Sequence, residues 1–333
     1  MIGKKWFFLM CTLLAGASTT TAAAHRIADP VQHRNLQVFL IHGEGADPHP
    51  HLLTLQEAMQ QRLLVVRETS NVNALTVENT SDTHEVFIQS GDIVKGGKQD
   101  RVLAVDVIVP AKSGALPIDA FCVESGRWQQ RGEENAAQFA SSDRRIVSKQ
   151  LKLAANRERS QAAVWAQVNE VQQKLSRHVG ASVQADASAT SLQLSLEHGE
   201  VAASVDEYVQ ALSGLLDGQS DVVGYAFAIN GEVNSADVYA SPALFARLWP
   251  KLLRASATEA VAELDGAEAG GDKRAPVAEV QTLLDDADQG KAEERDVTAR
   301  TKLVTRDSAE TLVVDTLDGD RKDALHRSIV RKN

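Results

Sequence analysis

The 333-residue chain is 43% apolar and 24% charged, enough apolar surface for a sizeable core in one large domain or two small ones, and this excludes wholesale disorder. Its formal net charge of −10 excludes a general nucleic-acid binder, which needs a basic footprint. Much of the charge is local, since residues 256–296 hold twelve acids against four bases.

Lys4 and Lys5 precede an apolar run over residues 6–17, and small residues follow up to Ala22-Ala23-Ala24. This layout reads as a secretory signal peptide over residues 1–24, with the mature chain starting at His25 in the periplasm or outside the cell and no stable membrane insertion. Cys11 lacks the small residue a lipid-anchor site wants before it. Removal of the leader leaves Cys122 as the only cysteine, so the core must hold without an internal disulfide.

Residues 36–41 suggest a first strand, followed by His42, Glu44, Asp47, His49 and His51. These are metal-ligand types, but two prolines hold His49 and His51 in an extended loop and the spacing matches no closed site, so no metal and no cofactor is expected. Thr54-Leu55-Gln56-Glu57 is a capping box that starts a short helix over 54–61. Short β-branched runs follow at 63–68, 74–78, 86–89, 102–110 and 117–123, separated by turn residues. Such spacing favours an antiparallel sheet or sandwich.

Beyond Trp128 the composition shifts to helix formers. Ser160 caps a helix in which Val164, Val168, Val171 and Leu175 form one stripe, with Gly180 as its stop. Ser204-Val205-Asp206-Glu207 reads as a second capping box. Residues 222–229 and 233–239 flank Asn230-Gly231 as a hairpin. Ser241-Pro242 begins a further helix that Pro250 is expected to kink or split near Trp249. Residues 265–300 read as an acidic flexible linker, and 301–333 as a terminal strand with a basic end. The expected fold is α+β: an antiparallel β-rich N-terminal half, 34–128, packed with a helical C-terminal half, 140–264, that contains one β-hairpin.

Two loops at strand ends carry the candidate chemistry. In Lys95-Gly96-Gly97-Lys98-Gln99-Asp100-Arg101, glycines free backbone amides to face a ligand and the cations suit an anion. The loop is not a P-loop, because Gln99 follows Lys98 where Ser or Thr is required. In Cys122-Val123-Glu124-Ser125-Gly126-Arg127-Trp128, Arg127 offers a fork for a phosphate or carboxylate and Trp128 a flat face for a ring. Cys122 points with apolar neighbours and reads as core packing.

These paired loops, Gly96-Gly97-Lys98-Gln99-Asp100-Arg101 and Cys122-Val123-Glu124-Ser125-Gly126-Arg127-Trp128, resemble the bacterial ADP-ribosylglycohydrolase- and rhodanese-phosphatase-associated protein domain family. The likeness runs over roughly residues 36–264 and more loosely to His326-Arg327. It implies a link to ADP-ribose or phosphate-ester metabolism, with Lys98, Gln99, Arg101, Glu124, Arg127 and Trp128 as the recurrent polar and aromatic positions. Asp100 stands where the family has Asn. Three readings follow. In the first, Lys98, Gln99, Arg101, Arg127 and Trp128 bind an anionic small molecule or a modified protein. In the second, Glu124 is the general base of a hydrolase. In the third, the whole motif is structural, with Glu124 and Arg127 paired inside.

Overall fold

Strand Val222–Ile229 is apolar at every position, so neither face of it can be left to water, and the fold is arranged around covering both. The computed structural model describes residues 25–44, 49–146, 148–264, 273–319 and 324–333, and the expected leader lies outside them. The strand sits in a nine-stranded sheet whose path runs Arg26–Ile27, Leu36–His42, Val222–Ile229, Glu232–Tyr239, Ala324–Arg331, Thr311–Asp318, Thr301–Asp307 and Ala292–Asp296, with Val31–His33 also on Leu36–His42. Every pairing within it is antiparallel.

Alternate side chains divide between its faces. Val38, Leu40, Tyr225, Phe227 and Ile229 join the core made with helices Gln161–Val179, Gly199–Leu212 and Pro242–Ala262. Phe39, Ile41, Ala226 and Ala228 face the other way, where Val280 and Leu283 of helix Val277–Asp286 cover them. That helix lies inside the stretch expected to be a flexible linker. Its described part, from Lys273, instead supplies this helix and strand Ala292–Asp296, because the second face of the sheet needs a cover. The final residues likewise form three strands where one was expected.

A second core lies under two smaller sheets. One runs Phe139–Arg145, Asp92–Gly96, Arg101–Leu103, Gly114–Cys122, Ala74–Asn79 and Leu64–Asn71; the other joins Val107–Val109, Glu85–Ile88 and Leu52–Thr54. The architecture is α+β. Its largest sheet draws strands from the start, middle and end of the chain, so sheets and helices do not segregate simply into an N-terminal and a C-terminal half.

Local signals behave unevenly. The capping box forms, Glu57 N donating to Thr54 Oγ1 at 3.3 Å and Thr54 N to Glu57 Oε2 at 2.8 Å. Val164, Val168, Val171 and Leu175 are the buried stripe of Gln161–Val179, ended by Gly180 at φ 70°. Asn230 and Gly231 both take positive φ, 54° and 81°, as the hairpin turn requires. Ser204 does not cap. Its helix begins earlier, at Gly199, because the buried stripe of Val201, Val205, Tyr208 and Leu212 reaches back past it. Nor does Pro250 split its helix, which runs unbroken over Pro242–Ala262 with Leu248, Trp249, Leu252 and Leu253 buried around the proline.

Candidate functional site

The two candidate loops come together in space, but their charges close on one another. Glu124 is fully buried, accepting from Arg127 Nε and Nη2 at 2.6 and 2.7 Å and from the Asp100 amide at 2.9 Å. Arg127 donates its remaining hydrogens to the carbonyls of Gly96, Gly97 and Gln129. Asp100 forks onto Arg131, with contacts of 2.8 and 2.9 Å. Gln99 donates to the Glu124 carbonyl at 2.9 Å. Arg101 is 0% exposed, donating to Val72 O, to the Cys122 sulfur and to Glu68.

Gly97 is fixed by the same packing. Its φ is 57°, and a Cβ there would lie 2.3 Å from the Phe139 ring. Of the six expected ligand contacts only Lys98 and Trp128 reach solvent. Trp128, 45% exposed, lies under Lys98 Nζ at 5.2 Å and the Arg101 guanidinium at 5.7 Å. Gln99, Arg101, Glu124 and Arg127, expected to face a ligand, thus make contacts with internal partners, and the three charged ones among them are paired as buried charges must be. Glu124, with both oxygens taken by donors, is not placed to act as a general base. Burial, with Glu68 and Glu124 adding to it against the opposing Arg101 charge, pushes the Cys122 thiol up to about 11, so it stays protonated at neutral pH.

A shallow opening borders the second loop at Ser125, Gly126, Arg127 and Arg131, and a separate, more enclosed cleft of about 710 Å³, solvent at its mouth included, lies elsewhere. A β-bulge between Ser141 and Arg145 aims Arg145 into it. Gly91 stands beside that side chain with φ 94°, and a Cβ there would lie 3.2 Å from Arg145 Nη2. Helix Lys149–Leu153 then passes into a π-helical turn, Ala154–Glu158, that ends on Arg159 with φ 51°. This irregular segment brings Lys152, Ala155, Asn156 and Arg159 to one wall.

At the inner end His326 is held between two carboxylates, its Nδ1 2.6 Å from Asp106 Oδ2 and its Nε2 3.0 Å from Asp237 Oδ1. Its ring stacks on Tyr239 at 4.5 Å. Thr316 and the Ser90 amide donate to Asp106. Burial alone would depress the His326 pKa, but the Asp106 charge and the hydrogen bonds to both carboxylates outweigh it and raise it to about 9. Burial likewise works against ionised Asp106 and Asp237, yet the imidazolium and its hydrogen bonds hold both below the usual carboxylate range. The group is a fixed ion triplet rather than a free base.

Sequence reasoning missed this cleft, which gathers Gln89, Asp106, Arg145, Lys152, Asp237 and His326 from distant segments. A signal existed in Asp106, a single carboxylate inside the otherwise apolar run 102–110. The histidines weighed for a metal lie apart: His42 pairs with Asp221, His49 with Asp318, and His51 meets the His84 ring edge-on. Among the described residues no group of three or more His, Cys, Asp or Glu is arranged to hold a metal ion, and no helix is long and apolar enough to cross a membrane.

Fold and site together define a class: an α+β domain with an internally clamped pair of loops and a separate cationic cleft. The chain belongs to the ARG and Rhodanese-Phosphatase-superfamily-associated Protein domain family, whose sequence model matches residues 24–330. No curated protein and no solved structure matches it.

Two outcomes follow from this geometry. Arg127→Ala strands a buried Glu124 carboxylate and is expected to cost roughly 3–5 kcal/mol in urea denaturation, against less than about 1 kcal/mol for exposed Trp128→Ala; equal losses would reject the clamp. For His326 the folded pKa of about 9 lies above its ordinary 6.5. Its contacts therefore contribute fully below about pH 6.5 and their contribution is lost as pH rises through about 9. Melting temperature should fall across that window in the native chain and lose this slope in His326→Gln; an identical slope in both sinks the assignment.

Proposed function

We propose that this domain binds an anionic small molecule, phosphate-bearing or of ADP-ribose type, and that the anion sits in the cleft against Arg145 and Lys152 rather than between the paired loops. The observation that carries the reading is Arg145. It is 6% exposed, yet its hydrogen bonds go only to neutral oxygens, Gln89 Oε1 at 2.9 Å and the Ser90 carbonyl at 2.7 Å, and its Nε has no partner. Among the described residues no carboxylate lies within ion-pair distance of it or of Lys152, whose Nζ reaches Ser235 Oγ at 3.3 Å. The charges of buried Asp92 and Asp237 act on this guanidinium without hydrogen-bonding to it, and an anion in the cleft would give it the direct partner it lacks.

The two carboxylates of the cleft are hydrogen-bonded to His326 and so offer no base, although the charge of Asp237 also acts on Arg145 and Lys152. Binding is favoured over hydrolysis on that ground. The paired loops brace the fold near Trp128 in this reading, and the family's association with ADP-ribosylglycohydrolases and rhodanese-phosphatases suggests the ligand class.

Thermal shift and calorimetric titration of the folded chain with inorganic phosphate, ADP-ribose and sugar phosphates test the reading, since a ligand of the native state raises its apparent stability. Arg145→Gln should weaken the response by roughly tenfold to a hundredfold, the value of a charged hydrogen bond; Lys152→Gln serves as the second variant should the first fold poorly. A native chain that none of these anions stabilises, or variants that respond undiminished, would overturn it.

We also propose that residues 1–24 direct export. Intact mass measurement of the protein recovered from the periplasm or medium should give a chain starting at His25, and recovery of a chain retaining Met1 from that fraction would reject the leader.

A further inference from the structure

The cleft carries cations at two depths. The inner set is Arg145 and Lys152. At the rim, Arg159 and Arg295 arrive from unrelated segments, the π-helical turn and the outermost strand of the large sheet, and both donate to the same atom, Asp119 Oδ2, at 2.8 Å. Both arginines line the cleft. Two guanidiniums on one carboxylate oxygen leave one positive charge uncompensated, and each fork, with five donors, spends one N–H there.

The depths differ measurably, with Arg145 6% exposed and the side chains of Arg159 and Arg295 48% and 37% exposed. Lys152 and Arg159 are seven residues apart, on either side of the π-helical turn. Val105, Ile146, Ala155, Leu303 and Val314 supply apolar lining to the same cleft. A ligand anchored at Arg145 and long enough to reach the mouth thus meets apolar walls and a second cationic station.

We propose that the cleft selects molecules carrying two anionic groups separated by an apolar spacer, one group completing Arg145 and Lys152 and the other bridging Arg159 and Arg295. The inference rests on the anion-binding reading above and adds to it a length and a second charge. Single anions engage the inner station alone; a spacer that is too short leaves the rim arginines to Asp119 and water. Carboxylate and phosphate ends share the chemistry a guanidinium fork recognises.

Calorimetric titration of the full chain with straight-chain dicarboxylates from malonate to suberate, the monocarboxylates of equal length, and matching α,ω-alkanediol bisphosphates reads the proposal directly. The expected result is a length optimum at which the dianion binds at least about tenfold more tightly than its monoanion, the worth of one charged contact. Comparing the carboxylate and phosphate series at that length identifies the preferred head group.

Arg159→Ala and Arg295→Ala alter exposed side chains and so keep the fold; each should bring the dianion-to-monoanion ratio towards one, whereas Arg145→Gln lowers both affinities together. Equal binding of dianions and monoanions, no dependence on length, or a ratio unmoved by both rim variants overturns the two-station inference while anion binding stands. If no anion of either kind binds, both readings fall.

Discussion

The contact on which the rest depends is the imidazolium of His326 between Asp106 and Asp237. Asp106 follows strand Arg101–Leu103 and precedes Val107–Val109, in the part of the chain that forms the two smaller sheets. Asp237 and His326 lie on Glu232–Tyr239 and Ala324–Arg331, neighbours in the nine-stranded sheet. One side chain therefore fastens the sheets together. Burying three charges is costly in itself, so the arrangement depends on donors that meet them: Thr316 and the Ser90 amide on Asp106, and His326 itself on both carboxylates. Such a network tolerates no slip of register. Moving Ala324–Arg331 by one residue would turn His326 to the opposite face and leave both aspartates unpaired.

The paired loops obey the same rule with the opposite functional result. Glu124 with Arg127, Asp100 with Arg131, and Glu68 with Arg101 make three couples in which each buried charge meets its counter-charge. A loop dense in lysine, arginine and glycine reads as a ligand site along the sequence because the residues that neutralise it are remote: Glu68 lies 33 positions from Arg101, and Arg131 lies 31 from Asp100. Asp100, where the resemblance expects asparagine, supplies the carboxylate that Arg131 needs. The glycines have a packing reason too, since Phe139 fills the space that a side chain at 97 would take.

Legibility follows the range of the cause. Whatever is decided within a few residues could be read: the Thr54 and Ser160 caps, the valine stripe of Gln161–Val179, the Asn230-Gly231 turn and the mixed α+β character. Features decided by remote partners could not. Helix Val277–Asp286 has an acidic composition and exists because Phe39, Ile41, Ala226 and Ala228 need a cover; the fully apolar run 222–229 was the available hint that one must come from somewhere. The bulge at 141–145 and the π-helical turn at 154–158 leave no simple periodic trace, and they are what deliver Arg145 and Arg159 to the cleft.

Local departures from regular geometry persist where something else compensates them, and the cleft concentrates several. Arg159 holds a left-handed φ of 51°, the π-helical turn interrupts helical hydrogen bonding just before it, and Gly91 takes φ 94° beside Arg145. Arg145 itself keeps a buried charge with neutral partners only. At the paired loops the protein resolves every such charge from within, so its failure to do so at Arg145 is not a general looseness of the fold. A chain that builds three buried counter-ion couples and one carboxylate–imidazolium–carboxylate triplet leaves this guanidinium hydrogen-bonded only to amide and carbonyl oxygens at the wall of an open cleft, with Asp92 and Asp237 acting on it as charges that do not pair with it directly, and it is this gap in direct pairing that the proposed anion would fill.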